Sequence, residues 1–272
     1  MRKLTIILSI VALAIPGMAS TIDVLWYTGG TQPISGNYQT DINTLASLAP
    51  GAPGGNTWDV TYWTGGAMPT GAFNVLVVAS PEGGWASSPS YAALSTALSS
   101  ITLGDRLLLT GQDADWHYMN FPGPASFNGP QGFLLDAVNW AGSGTGLGLV
   151  ALGQLGNGDT VNFGLSGYSS LGGSTDNVQI PAAMATFPIN TNLTSAGLSN
   201  WSTSAHDIFG ITDPSLWTGI NTSGASTTNF VTIVSTATAS APITAAPEPA
   251  SFVLLGSAFA GLGLFGRRMR RS

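Results

Sequence analysis

The chain has 272 residues, of which seven are basic, thirteen acidic and none cysteine. Without cysteine it can build no disulfide, no thiolate metal site and no cysteine nucleophile. Between Ser20 and Glu248 all thirteen acidic residues face a single basic one, Arg106, for a net charge of about −12; such a body repels phosphate, which argues against nucleic acid as a partner.

In chain order, Arg2 and Lys3 precede the apolar run Leu4 to Ile15, followed by Pro16 and the small-residue stretch Gly17-Met18-Ala19. A charged start, an apolar centre and an A-x-A-type end predict a signal peptide over 1–19, with the export translocon as partner and a mature chain beginning near Ser20. A body over 20–238 follows, long enough for one sizeable core.

The first half of the body alternates two patterns. IDVLWYTGG (22–30), TWDVTYWTGG (57–66), FNVLVVAS (73–80), DRLLLTG (105–111) and GLGLVALG (146–153) are short apolar runs bounded by Gly or Pro and predict five strands. Between them, apolar residues at helical spacing predict helices near 40–49 (with Thr40 as cap), 90–102 and 130–141, the last with Pro130 early and Gly142 after it. This alternation predicts an α/β domain, flavodoxin-like, with a mainly parallel sheet, helices on both faces and right-handed crossovers. A strand order 2-1-3-4-5 fits, the helix-free link from Trp63 to Phe73 passing beneath the first strand. The alternative is an all-β sandwich. Residues 153–239 are rich in Ser, Thr, Asn and Gly; their regular apolar anchors, and NFVTIVSTA (229–237), predict a loop- and strand-rich extension of the same domain.

The end of the chain is organised differently. Residues 239–246 form a linker of small residues and proline. Pro247-Glu248-Pro249 comes next, then an apolar segment over 250–266 containing Gly256, Gly261 and Gly263, then Arg267, Arg268, Arg270 and Arg271. The segment reaches the short end of a membrane span, and arginines that stay on the cytoplasmic side predict a single-pass transmembrane helix with its basic tail inside. The three-part order over 247–272 resembles the PEP-CTERM sorting signal of exopolysaccharide-producing Gram-negative bacteria. The resemblance implies processing by an exosortase near the Pro-Glu-Pro motif, and a mature protein at the cell surface or in the extracellular matrix, in company with extracellular polysaccharide. The other reading is an anchor that is never cut.

The body itself, through VLWYTGG, FNVLVVAS, GDRLLLTGQDADWH, FLLDAVNW, FPINTNLTSAGLSNW and VTIV, resembles the class I glutamine amidotransferase-like fold, especially its ThuA-like branch, over roughly 22–238. The amidotransferase nucleophile is a cysteine on a tight turn after a strand. The corresponding turn here, Thr110 to Ala114, has none, so that activity is not implied.

In an open α/β sheet, ligands bind beyond the C-terminal strand ends at the switch point. The loops there carry Gln32, Glu82, Asp113, Asp115 and His117. Asp113, Asp115 and His117 alternate in sequence, so in an extended loop all three point one way. Such a set suits either a divalent cation or an acid/base pair; the competing reading is turn capping and local hydrogen bonding, because the set is incomplete for calcium. His206 and Asp207 read as turn or packing residues, and Trp85 and Trp116 as candidate sugar-stacking rings. No dinucleotide loop or nucleophile elbow occurs, and no cofactor is called for. Two functional classes remain: a non-catalytic surface or matrix protein associated with polysaccharide, and an extracellular carbohydrate hydrolase or lyase using Glu82, Asp113, Asp115 or His117. Convergence of those side chains in one pocket would mark the enzyme.

Overall fold

The computed structural model describes residues 20–29, 36–81, 91–98, 101–120, 128–153 and 165–235. The chain divides into two units at Ala237/Thr238, and all described residues lie in the first. Residues 1–19, expected from the sequence to be a signal peptide, Gln32, Glu82, Trp85, the Pro-Glu-Pro motif, the apolar segment 250–266 and the arginine tail lie outside them. Among the described residues no helix is long and apolar enough to cross a membrane.

The protein is α/β. Five parallel strands carry the first half: β1 (Thr21–Tyr27), β2 (Thr57–Trp63), β3 (Val75–Val78), β4 (Leu103–Thr110) and β5 (Leu147–Ala151). The helices are α1 (Gly36–Leu48), α2 (Tyr91–Leu98), α3 (Ala114–Asn120) and α4 (Pro130–Gly142). Five short strands follow: β6 (Tyr168–Ser170), β7 (Val178–Gln179), β8 (Phe209–Ile211), β9 (Trp217–Ser223) and β10 (Phe230–Ser235). Their pairings are antiparallel, so the ten-stranded sheet is mixed, with the path β2-β1-β3-β5-β4-β10-β8-β6.

Alternation along the strands builds two cores. On β1, Val24 and Trp26 face one layer with Tyr38, Ile42 and Leu45 of α1 and Phe133, Leu134 and Val138 of α4. Leu25 and Tyr27 face the other, with Leu94 of α2, Leu76 and Leu149. β3 and β5 are buried throughout and read as unbroken apolar runs, as central strands covered on both faces do. α4 is buried on nearly its whole circumference, which explains its high apolar content. Pro130 occupies its first turn, where the missing N–H costs nothing.

Two expectations need correction. α1 begins at Gly36, so Thr40 is interior and not its cap. The order of the parallel strands is 2-1-3-5-4, with the last two exchanged. The reason is handedness. α4 packs on the same face as α1, and a right-handed crossover over that face returns toward β1. It therefore inserts β5 between β3 and β4 instead of adding it outside. The helix-free link from β2 to β3 runs in the other direction and uses the other face, where Met68 and Phe73 pack beside α2's Leu94.

The exchange leaves β4 as the outermost parallel strand. β10 covers its edge, pairing Thr232 with Thr110 and Val234 with Leu108. The buried Thr110 and Thr232 hydroxyls lie 3.0 Å apart, and Thr110 Oγ1 also donates to the Val231 carbonyl. Both of these threonine hydroxyls thus have a partner, as the loss of water requires.

Asp136 of α4 is an exception. It is buried and neither carboxylate oxygen has a hydrogen-bond partner. Burial alone pushes its carboxyl up to about 7. A group whose folded-state value is raised holds its proton better when folded, so stability is lost as pH rises from the unfolded value, about 4, to about 7. Asp136→Asn stays neutral. Its stability relative to the parent should therefore climb between pH 4 and pH 7 and stay constant above, the difference reaching at most about 4 kcal/mol. Thermal melts of both proteins across that range check it.

Candidate functional site

Thr110 ends β4 at the C-terminal edge of the parallel sheet, where Gly111, Gln112 and Asp113 lead into α3. The expected extended loop is a helix from Ala114, and that changes which side chains meet. Residues four apart share a helix face, whereas residues two apart do not. His117 N donates to the Asp113 carbonyl, and on the same face His117 Nε2 lies 3.2 Å from Asp113 Oδ1. Asp115 points elsewhere. Its Oδ2 accepts from the Ser80 amide at 2.9 Å and from the Tyr38 hydroxyl at 3.1 Å, and Tyr38 in turn accepts from Trp26 Nε1. Asp115 is a buried tie between α3, the end of β3, α1 and β1, so the joint direction expected of Asp113, Asp115 and His117 does not hold.

The third member of the cluster is His206, which the sequence reading set aside as a turn or packing residue. Its Nε2 lies 3.4 Å from Asp113 Oδ2, so one carboxylate meets both of the chain's histidines, one on each oxygen. The approach is fixed by backbone. His206 N donates to the Gly111 carbonyl at 2.7 Å, and Ala205 bridges Thr175 in antiparallel fashion. Gly111 allows this because a Cβ there would overlap the Asp207 carbonyl.

Over His117 sits a loop with an unusual backbone. Asn200, Ser202 and Thr203 have φ of 65°, 70° and 135°. Asparagine tolerates that region; a β-branched threonine does so only when its surroundings impose it. The imposing group is Asp176, whose Oδ1 accepts from the Thr203 and Ser204 amides and from Ser204 Oγ. The loop places the Thr203 carbonyl 3.3 Å from His117 Nε2 and the Trp201 ring 5.2 Å from the imidazole, with Trp116 at 4.8 Å on its own helix.

The electrostatics separate the two aspartates. Burial alone would raise Asp113, but hydrogen bonds and charge from His117 and His206 outweigh it and hold the carboxyl below its ordinary value. At Asp115 burial wins over the bonds from Ser80 and Tyr38, and neighbouring Asp113 adds repulsion, so that carboxyl is raised. Its Oδ1 has no partner, in keeping with a group inclined to keep its proton. Asp113 is thus the anionic centre, flanked by two imidazoles.

Among the described residues, a groove of about 650 Å³ lies elsewhere, with Met68, Pro69, Ala97 and Ile101 on its walls. It has no titratable side chain in its lining, in contrast to the cluster at the end of β4. Of the two neighbouring candidates, Glu82 lies outside the described residues, and Trp116 packs on His117. One signal for His206 was available in the sequence: a chain with only two histidines places each of them beside an aspartate-bearing loop. Nothing in their spacing, 117 against 206, showed that the loops meet.

No protein-family model matches the chain, and neither the curated proteins nor the solved structures contain a match to it.

The close approach at Gly111 should be sensitive to a single methyl. Gly111→Ala should destabilise the fold by about 1–3 kcal/mol, as overpacking does. It should also shrink the coupling between Asp113 and His206 measured by a double-mutant cycle, which for a contacting pair is about 0.5–3 kcal/mol. Urea denaturation of the cycle in both backgrounds gives the answer.

Proposed function

We propose that this is an exported cell-surface or extracellular-matrix protein, sorted through a PEP-CTERM signal at 247–272 and acting without catalysis in association with extracellular polysaccharide. The observation that carries the reading is the distribution of cations. Of seven basic residues, Arg2 and Lys3 stand in the leader and four arginines in the tail, flanking apolar runs in the order that export and sorting use. The seventh, Arg106, is spent inside the fold. Its Nη1 donates to the Trp140 carbonyl and to Ser143 Oγ at the end of α4, and its guanidinium lies 5.8 Å from the Trp140 ring centre. The body therefore offers no free Lys or Arg to a polyanion, and its surface is one of Ser, Thr, Asn, Gly and carboxylates. On this reading the partners are the translocon, an exosortase and polysaccharide, and the body is a flavodoxin-like, amidotransferase-like domain with its last two parallel strands exchanged.

A second reading, an extracellular carbohydrate hydrolase or lyase, is favoured by the pairing of Asp113 with His117 and His206. His206, partly exposed, would be the group that meets substrate, and Asp113 would orient it. Asp115 is withdrawn from that role by Ser80 and Tyr38.

Removal of Pro247 to Pro249 with the apolar segment kept should leave the protein in the inner-membrane fraction, because the segment still halts export while the processing motif is gone. Cell fractionation and mass spectrometry of the mature C-terminus are the measurements. Release of the deletion variant at the parental level is the result that would sink the sorting proposal.

A further inference from the structure

We propose that Asp113, His117 and His206 form a binding site for one divalent transition-metal ion, with zinc the best chemical fit. The site stands on its own geometry and is independent of the sorting reading.

The donor set comes first. Two imidazole nitrogens and a carboxylate, with no thiolate available, suit zinc and its neighbours in the first transition row. Calcium needs six to eight oxygens, which this cluster lacks. The distances come second. With bonds of about 2.0–2.1 Å, the donors of a tetrahedral ion stand about 3.3–3.4 Å apart. His117 Nε2 stands 3.2 Å from Asp113 Oδ1 and His206 Nε2 3.4 Å from Oδ2, so an ion held through one carboxylate oxygen finds one imidazole already at the required spacing, and one candidate donor atom from each residue lies within 4.8 Å of the others. Drawing the widest pair onto one ion takes a closure of at most about 1.5 Å, within reach of a rotation at the partly exposed His206.

Access is the third consideration. Asp113 is 1 % and His117 3 % exposed, so no organic substrate reaches them, whereas the His206 side chain is 24 % exposed and opens the cluster on one side. An ion fits that entrance. Charge favours it as well: one carboxylate and two neutral imidazoles leave a bound divalent ion with a net positive charge, inside a body whose field is strongly negative.

Preorganisation is the fourth. Three of the four residues from Asn200 to Thr203 hold a left-handed backbone, pinned by Asp176, and the loop sets the Trp201 ring against His117; the Thr203 carbonyl, 3.3 Å from His117 Nε2, accepts a hydrogen bond from the proton that a bound ion displaces from that nitrogen. Strain of that kind persists where surrounding structure enforces it, and it gathers at ligand sites. In the bound state each imidazole presents Nε2 as a lone pair and carries its proton on Nδ1, so binding releases any proton that Nε2 held. The competing arrangement is a pair of Nε2–H···carboxylate hydrogen bonds with no affinity for metal.

The experiment uses the full chain, purified without a histidine tag and stripped with chelator. Zinc is titrated by calorimetry, cobalt by visible absorption and calcium as the control ion. The expected result is one equivalent of zinc, a Tm rise of about 5–10 °C at a hundred times Kd, visible bands of four-coordinate cobalt, and no response to calcium. Asp113→Asn and His206→Ala should each weaken zinc binding at least about tenfold, while Asp105→Asn, on the far side of β4, binds as the parent does. His206 is partly exposed, so its variant keeps the fold; it alone decides if Asp113→Asn fails to fold. Absence of saturable zinc binding by the parent, or unchanged affinity in His206→Ala, overturns the site. A calcium response in place of zinc overturns it equally. None of these outcomes bears on the sorting proposal, which fractionation tests separately.

Discussion

The architecture turns on the handedness of one crossover. α4 packs against β1 on the face that α1 already occupies, and a right-handed return from that face can only place β5 inside β4. β4 thereby keeps an unpaired edge, and an exposed edge of a buried strand is costly unless something pairs with it. β10 does so, stitched by the Thr110–Thr232 hydroxyl contact and by the register Ile233 to Leu109. Because β10 also pairs with β8 and β9, the whole C-terminal half is organised from that edge. The loop before β8 then lies against Gly111, and His206 arrives at Asp113. A swap of two strands in the sheet thus brings together two histidines 89 positions apart.

The buried polar groups follow the same geography. At the C-terminal strand ends, Ser80 after β3, Gly153 after β5 and Asp113 after β4 crowd together; a Cβ on Gly153 would press on all three neighbours Ser80, Pro81 and Asp113. Asp115 uses that crowding to tie four elements with one carboxylate oxygen, while Asp113, two residues earlier, faces the opposite way to the imidazoles. Acids two residues apart with opposed environments are what pushes the Asp115 carboxyl up and holds the Asp113 carboxyl down within a few ångströms.

Much of the fold was legible in the sequence because its signals are local. Runs such as VLVV and LGLVA are apolar without alternation and became the fully buried central strands, and Pro130 marked the start of α4. What was not legible depended on partners distant in the chain. Strand order hung on which face α4 would choose, and its sequence, whose polar Gln131, Asp136 and Asn139 are buried along with its apolar residues, does not say. The site was read half correctly. Asp113 and His117 do pair, but through a helix of seven residues that DADWHYMN disguises: Asp, Trp and His are weak helix formers. An extended reading put Asp115 with them; the helical spacing replaces it with His206. The sorting tail and leader remain readings of residue order alone, since order and not packing carries their information.

Arg106 has a further consequence. The chain has no lysine after Lys3, and between that residue and Arg267 it has no other arginine. A protease that cuts after basic side chains therefore has one target in the entire body. That target lies within β4, half-buried, just before Leu107 resumes the pairing with β5, its side chain fastened to the end of α4. Cleavage requires an extended, accessible stretch of backbone, which a strand inside a sheet does not present until it opens. If the body is released as the sorting proposal has it, trypsin-like peptidases would find in it a single, half-buried target, a second consequence of its scarcity of positive charge.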